Sequence, residues 1–434
     1  MATLKERLQE REQTKGSFKI GLVGAGQMGT GMISQMEKMY GLEVAAVADV
    51  QPTRAADSFI EAGVEKDAIQ WVEDDLQKAH DLVTGNQRVA THSSEFLVNI
   101  PGLDAIVEST GIPNVGAMIC QQAIDAGKPI INMNVETDAT IGYYLTKKAL
   151  EKDIIYTLVA GDEPGSIKEI YDFADALGFE IVTIGKGKNN PLDRTATPDS
   201  LKVQAESKNM SVKMLCSFVD GTKTMVEMTS VGNATGFAPE VRGAYGPKCK
   251  VEELPKVFIP KSAGGIFNEK GAVDYAVGPA PGVFVIITTD QPKIKKDLNY
   301  LGLSGFGDYW CLYRPYHLAN LETPITIAHV MLDNAETLNT KKIPVAETIT
   351  IAKKDLNPGD TIDALGGFTV YGMIEKAEIA REQDLVPLGL TIGGKIRNPI
   401  KQGEAVCYSD IELDETQLIV KLRREQDRML FGKN

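Results

Sequence analysis

The chain has 434 residues, of which 43% are hydrophobic and 24% charged, a balance typical of globular proteins with two or three domains. Lys and Arg total 46 against 59 for Asp and Glu, and the net charge of −13 argues against nucleic acid or a membrane surface as partner. The five cysteines are widely spaced and form no CxxC pair, so we expect a reducing cytoplasm rather than a disulfide framework. No apolar run approaches the ~20 residues of a membrane span.

The N-terminal part alternates strands with helices. After a charged, helical arm, a strand from Phe18 breaks into a glycine turn, and further strands are predicted at 42–49, 103–111, 129–133 and 154–159. Helices are predicted at 114–126 and 138–151, whereas the polar stretch 84–94 predicts a surface excursion. This alternation predicts an α/β Rossmann domain at 17–160, with a doubly wound parallel sheet.

The pattern changes after residue 160. The sequence predicts a central α+β domain at 161–335. Its predicted elements are a helix at 167–177, a strand at 180–184, a basic glycine-containing loop at 185–191, a helix at 211–228 and a strand at 283–289. We expect this domain to carry catalysis and oligomerisation, as a homodimer or homotetramer. Short strands and Pro-Gly turns, with a helix at 377–383, predict a small β-rich domain at 343–415.

A GxGxxG motif follows the first strand and opens the next helix. Gly24 permits the tight turn, Gly26 lets the backbone approach a pyrophosphate, and Gly29 allows helix and strand to pack closely. The helix N-terminus then attracts the phosphates. The predicted contacts to the dinucleotide come from Gly24, Ala25, Gly26, Gln27, Met28 and Gly29.

The form of the nicotinamide cofactor stays open between NAD and NADP. Asp49 ends the second strand and is placed to accept hydrogen bonds from the ribose, which favours NAD, whereas Arg54 is placed to bind the 2′-phosphate of NADP. Glu108, Ser109, Thr110 and Gly111 end a later strand and are expected to line the nicotinamide side of the crevice; a simple strand-end turn is the alternative.

Lysines and carboxylates are the best candidates for the chemistry. Asp220, Lys223 and Glu227 have the spacing i, i+3 and i+7, which places them on one helix face; an ion pair on a solvated helix is the alternative. Lys186 and Lys188 follow a strand and can point ammonium groups into a crevice. We expect Lys223, Asp220 and Lys188 to be catalytic.

The remaining candidates are substrate or metal ligands. Asp162 and Glu163 lie in a Gly/Pro turn, where they are expected to bind a substrate hydroxyl or a divalent cation; capping of the turn is the alternative. His317 is the only histidine among convergent polar residues. The expected substrate contacts are Lys186, Arg194, Glu227, Asp162, Glu163 and His317.

Several segments resemble a known family. Gly24–Gly29, Val107-Glu-Ser-Thr-Gly111, Gly161-Asp-Glu-Pro-Gly165 and Asp220-Gly-Thr-Lys223 are similar to segments of homoserine-dehydrogenase-like oxidoreductases. Pro279-Ala-Pro-Gly-Val-Phe284, Tyr313-Arg-Pro-Tyr-His317 and Leu321-Glu-Thr-Pro324 resemble the branch that ends in an SAF domain. Ala352–Asp360, Pro387–Leu390 and Ile400–Glu404 resemble segments of that domain.

The resemblance implies an NAD(P)-dependent oxidoreductase in which Asp220 and Lys223 handle the substrate hydroxyl and its proton. Its most specific version is an enzyme like 1-deoxy-D-xylulose 5-phosphate reductoisomerase, which serves isoprenoid biosynthesis. Dehydrogenation of a polyol, sugar acid or homoserine-like substrate is the alternative. A third reading is a non-catalytic scaffold that binds a nucleotide and a sugar.

Overall fold

The computed structural model describes residues 2–51, 53–208 and 210–432. The helices are α1 (Leu4–Lys15), α2 (Gln27–Met36), α3 (Arg54–Glu61), α4 (Leu76–Thr84), α5 (Ser94–Asn99), α6 (Pro113–Asp125), α7 (Val135–Glu151), α8 (Glu163–Ala176), α9 (Pro198–Ser207), α10 (Val212–Val219), α11 (Thr222–Thr235), α12 (Leu254–Val257), α13 (Pro292–Tyr300), α14 (Ala319–Asp333), α15 (Ala377–Glu382) and α16 (Leu418–Phe431). The strands are β1 (Phe18–Val23), β2 (Leu42–Ala48), β3 (Ile69–Trp71), β4 (Arg88–Thr91), β5 (Ala105–Glu108), β6 (Ile130–Asn132), β7 (Tyr156–Leu158), β8 (Glu180–Lys188), β9 (Ala272–Val277), β10 (Val283–Thr288), β11 (Gly305–Phe306), β12 (Tyr309–Arg314), β13 (Ala346–Ala352), β14 (Val370–Lys376), β15 (Lys395–Ile396) and β16 (Ile411–Glu412).

Two compact units make up the chain. The first contains Met1–Asp162 and Leu318–Asn339, and the second contains Glu163–His317 and Thr340–Asn434. Residues 318–339 thus fold with the first unit, whereas the sequence grouped most of them with 161–335. No helix in the described part of the chain has both the length and the apolar character needed to cross a membrane.

The first unit is built on a parallel sheet of seven strands in the order β3-β4-β2-β1-β5-β6-β7. Its central strands are buried on both faces, as expected for a sheet covered by helices on each side. The predicted Rossmann architecture is confirmed. The predicted surface excursion at 84–94 is wrong, because residues 88–91 form β4, where Val89 and Ala90 are fully buried between β3 and β2.

The second unit has a five-stranded mixed sheet in the order β11-β12-β10-β8-β9. Strand β8 continues through Lys188, so the prediction of a loop from residue 185 is wrong for its first four residues. Glycines permit this continuation, because a Cβ at Gly185 would lie 2.4 Å from the carbonyl oxygen of Asp274, and one at Gly187 1.9 Å from that of Pro279.

Two predicted helix boundaries in the second unit are wrong. The predicted helix at 211–228 is two helices, α10 and α11, which break at Asp220 and Gly221 because Gly221 adopts a left-handed conformation with φ +90°. Helix α8 begins at Glu163 rather than at residue 167, so Glu163 lies in a first helical turn and not in a loop.

The C-terminal residues add two small antiparallel ladders, β13–β14 and β15–β16. The predicted helix at 377–383 corresponds to α15, whereas α16 was not predicted. The β13–β14 hairpin packs against α11, so these residues form part of the second unit. A separate SAF-like domain at 343–415 stays a prediction.

Candidate active site

The turn between β1 and α2 has the geometry of a dinucleotide site. Gly24 has φ +102°, a left-handed conformation that glycine adopts without strain. A Cβ on Gly29 would lie 2.0 Å from the carbonyl oxygen of Gly24, so glycine is required where helix meets strand. A Cβ on Gly26, in contrast, would meet no atom within 4 Å. The turn is therefore tightly packed on one side and open at the helix N-terminus, where the first-turn amides of Gln27 and Met28 suit a pyrophosphate.

The residues after β5 hold this turn in place. The Ser109 hydroxyl lies 2.8 Å from the Gly24 carbonyl oxygen and 3.0 Å from that of Val23, with donor geometry toward both. Thr110 donates its backbone N–H to the Glu108 carboxylate at 2.9 Å, and its hydroxyl donates to the same oxygen. Gly111 follows with φ +70°. The structure thus places the predicted Ser109–Gly111 segment directly behind the glycine turn.

Asp49 also shapes the turn. One of its carboxylate oxygens accepts a hydrogen bond from the Ala25 N–H at 2.9 Å, and the other accepts from the Gln51 N–H at 2.8 Å. Arg54 is the exposed first residue of α3. Asp49 and Ser109 therefore hydrogen-bond to the glycine turn, while ribose and phosphate recognition by Asp49 and Arg54 stays a prediction.

A buried lysine joined to two carboxylates lies in the second unit. Lys186, on β8, donates to Glu163 at the start of α8 and to Glu227 on α11, and all three side chains are at most 12% exposed. Burial alone would lower the pKa of Lys186, but the two carboxylates outweigh it and raise that pKa. Burial and the charge of Glu163 raise the pKa of Glu227. Lys186 is therefore a fixed cation.

Lys188 lies two residues further along β8, on the same face of the sheet, and is also buried. Within the described residues its ammonium group donates to one acceptor, the carbonyl oxygen of Phe218. Burial and the nearby charge of Lys186 lower the pKa of Lys188 to about 8. A lysine with this pKa can give or take a proton near neutral pH.

The predicted helix face shared by Asp220, Lys223 and Glu227 is wrong, whereas the catalytic roles of Asp220 and Lys223 stay predictions. The break at Gly221 removes Asp220 from the helix face that Lys223 and Glu227 share, and the Asp220 carboxylate instead accepts from Lys353 at 2.7 Å. Lys223 is half-buried, and its positive charge lowers the pKa of Glu227. Lys223 thus belongs to the electrostatic surroundings of Glu227.

Among the remaining predicted ligands, the structure brings Glu163 and His317 close together. The Oε1 atom of Glu163 lies 3.5 Å from Nε2 of His317, so these two residues offer an oxygen and a nitrogen ligand. Asp162 is buried and is the last residue of the first of the two segments that form the first unit. Arg194 lies over the ring of Tyr371, with 5.8 Å from Cζ to the ring centroid. Metal binding by Asp162 and Glu163 stays a prediction.

Sequence reasoning did not single out Lys353, and it named Glu108 only as part of the strand-end segment that lines the predicted crevice. The Lys353 ammonium is 1% exposed and bound to Asp220, and Glu108 is fully buried behind the glycine turn. Burial raises the pKa of Glu108 to about 7, against the effect of the Thr110 hydrogen bonds. The strand-end motif that contains Glu108 was the available signal for it, whereas nothing in the sequence around Lys353 indicated burial.

Residues 161–323 match the family model described as "Oxidoreductase DRL, catalytic domain". This segment contains Lys186, Lys188, Asp220, Lys223 and Glu227. The predicted enzyme class is confirmed: the chain is an oxidoreductase. This result also argues against a non-catalytic scaffold. No curated protein matches the sequence.

Among solved structures, the chain is similar to a protein described as a probable dehydrogenase from Thermotoga maritima, with 14% identity and a TM-score of 0.41, covering 73% of this chain and 90% of that one. It is also similar to scyllo-inositol dehydrogenase from Lactobacillus casei, a structure with bound NAD(H) and scyllo-inositol. That identity is 12% and the TM-score 0.40, with 74% of this chain and 90% of that one covered.

Proposed function

We propose that this chain is an NAD(P)-dependent oxidoreductase that acts on a small, hydroxylated, anionic substrate. The observation that carries the proposal is the pair of buried lysines on β8, one held by two carboxylates and one with a lowered pKa. The segment with the oxidoreductase catalytic-domain match contains both lysines. Oxidation of an alcohol needs these two functions, a cation for the oxygen and a group for its proton.

The glycine turn fits the cofactor, because the open space at Gly26 is where a bound pyrophosphate would approach the N-terminus of α2. When bound, the nicotinamide supplies or accepts the hydride. In the oxidative direction, neutral Lys188 takes the proton of the substrate hydroxyl and becomes an ammonium. In the reductive direction the ammonium returns that proton to the oxygen. Lys186 keeps its positive charge and binds the substrate oxygen or an anionic group.

The most specific form of the proposal is a reaction like that of 1-deoxy-D-xylulose 5-phosphate reductoisomerase. The sequence resemblance supports this form, and so do the polar groups around Lys186. A substrate whose carbon skeleton rearranges presents a carbonyl and neighbouring hydroxyl groups together, and several polar groups are needed to bind them. In this form of the proposal, Glu163 and Glu227, which flank Lys186, hold such hydroxyls, and Arg194 binds the phosphate.

A simple dehydrogenase of a polyol, sugar acid or homoserine-like substrate is the second candidate. The observation that favours it is Lys188, because proton transfer by one lysine is sufficient for hydride exchange with an alcohol. In the dehydrogenase reaction Lys186 orients the substrate, and the carbon skeleton of the substrate does not change.

A substrate panel followed by the absorbance of reduced nicotinamide tests the proposal. Deoxyxylulose phosphate is offered with NADH or NADPH, and inositols, sugar acids and homoserine are offered with NAD or NADP. Turnover of the first substrate, with inhibition by a phosphonate hydroxamate analogue, supports the reductoisomerase-like form. Turnover of an alcohol without that inhibition supports the dehydrogenase, and the absence of turnover across the panel contradicts both.

A further inference from the structure

Lys353, which follows β13 in the C-terminal part of the chain, has a fully enclosed ammonium group. Its Nζ donates to Asp220 at 2.7 Å and to the carbonyl oxygens of Ala196 and Gly367 at 2.9 Å each, and the Cys216 sulfur lies 3.6 Å away. Three oxygen acceptors satisfy the three protons of a lysine ammonium. A cation in this environment requires a paired anion, and Asp220 supplies it.

Asp220 also contacts the start of α11. Its second carboxylate oxygen accepts a hydrogen bond from the Thr222 N–H at 2.9 Å, which satisfies one of the free donors in the first helical turn. Gly221 between them has φ +90°, so the chain reverses sharply at this point. Asp220 therefore links the Lys353 ammonium to the first turn of α11.

The same C-terminal hairpin holds α11 along its length. The Thr222 hydroxyl accepts from the Gly372 N–H at 3.0 Å, and the hydroxyls of Thr229 and Thr348 lie 2.8 Å apart. Near the end of the helix, Asn233 accepts from the Ala346 N–H at 2.9 Å. Contacts at the first, middle and last turns thus tie α11 to β13 and β14.

We propose that Lys353 is a positioning residue of the active site, which sets Glu227 against Lys186 through Asp220 and the start of α11. Both oxygens of Asp220 are engaged, one by Lys353 and one by Thr222, and its side chain is buried. Asp220 accordingly serves as the link in this arrangement rather than as a proton carrier. The catalytic consequence rests on the proposed function, whereas the placement of Glu227 does not.

Competitive labelling of lysine amines with a trace of acetic anhydride tests the placement without any substrate. The folded wild-type chain is compared with Lys353→Met, Lys353→Arg and the exposed-neighbour control Lys354→Met, and acetylation of each lysine is read by peptide mass spectrometry. We expect Lys186 to be protected in the wild type and in Lys354→Met. In Lys353→Met its labelling rises several-fold, because Glu227 no longer covers it. Lys353→Arg keeps a cation beside Asp220 and retains most of the protection.

Lys353→Met removes the cation that binds the buried Asp220 carboxylate, and this loss can prevent folding. A second variant is therefore needed in which the carboxylate charge is also removed. Lys353→Met combined with Asp220→Asn removes both charges together, and a cooperative thermal transition shows which variants fold. Increased labelling of Lys186 in the folded variants that lack Lys353 supports the proposal. Unchanged protection of Lys186 in those variants overturns it, and so does loss of protection in Lys353→Arg equal to that in Lys353→Met.

Turnover supplies a second readout that separates this inference from the proposed function. With a substrate from the panel, we expect Lys353→Met to lower kcat more than it changes KM and to shift the pH profile, whereas Lys354→Met changes neither. A wild type that turns over no substrate contradicts the proposed function, and labelling still decides the placement. An active wild type whose Lys353→Met variant keeps kcat, pH profile and Lys186 protection contradicts the placement alone.

Discussion

Lys186 and Lys188 lie two residues apart on the same face of β8, yet their electrostatic surroundings are opposite. Lys186 contacts two carboxylates, which raise its pKa, whereas Lys188 donates to the carbonyl oxygen of Phe218, and burial lowers the pKa of Lys188 to about 8. One strand therefore presents a permanent cation and a titratable amine side by side. In the proposed mechanism, Lys186 binds the substrate and Lys188 transfers the proton.

The first prediction concerns the pH dependence of turnover. In the proposed mechanism alcohol oxidation requires neutral Lys188, so the oxidation rate is expected to rise with pH through about 8. Carbonyl reduction requires the ammonium form, so the reduction rate is expected to fall through the same range. Lys188→Met should lower kcat by about 100-fold or more and remove this limb of the kcat profile. The exposed control Lys270→Met should keep the wild-type kcat and the wild-type pH profile. A Lys188→Met enzyme with the wild-type profile would assign the proton to another group.

The second prediction concerns the stability of the Lys186 cluster. Lys186→Met removes the ammonium group that Glu163 and Glu227 share, and loss of one partner of a buried ion pair costs about 3–5 kcal/mol. Glu227→Gln added to that variant should recover part of the loss, because only one charge remains. Urea denaturation measures these free energies of unfolding.

A matched control for this variant is Lys168→Met, which removes an i,i+4 pair with Asp172 on α8. That pair is partly exposed, so its loss is expected to cost less than about 1 kcal/mol. Equal losses for Lys186→Met and Lys168→Met would show that the buried cluster contributes no more than a surface pair.

The third prediction concerns Glu108 and the pH dependence of folding. Its pKa is raised from 4.5 to about 7 in the folded chain, so the protonated form is favoured there. The stabilisation from this group is complete below pH 4.5 and is lost as pH rises to about 7, a change of about 3 kcal/mol. Glu108→Gln cannot ionise and should remove this part of the dependence, whereas the exposed control Glu95→Gln should keep it. Urea denaturation at pH 5 and pH 8 gives the change in unfolding midpoint between the two pH values. An equal change for Glu108→Gln and the wild type would contradict the prediction.

The sequence predicted best the structural features that depend on residues close together along the chain. The glycine turn, its strand and its helix were all identified, because their spacing follows from local backbone geometry. The partner of Asp220 was missed, because Lys353 is 133 residues away and only the folded chain brings them together. Strand β4 was missed because its short apolar core is flanked by polar residues, and its burial comes from the neighbouring strands.

The last prediction uses two glycines of the same turn with different surroundings. Gly26→Ala places a methyl group in open space, so the free energy of unfolding should change by less than about 0.5 kcal/mol. The same methyl group occupies the approach of the pyrophosphate, so the affinity for NADH or NADPH should fall by about tenfold or more. Gly29→Ala instead brings Cβ to 2.0 Å from the Gly24 carbonyl oxygen and should destabilise the fold by about 1–3 kcal/mol. Nicotinamide fluorescence titration and urea denaturation separate the two effects. Wild-type cofactor affinity in Gly26→Ala would show that the dinucleotide does not bind across this turn.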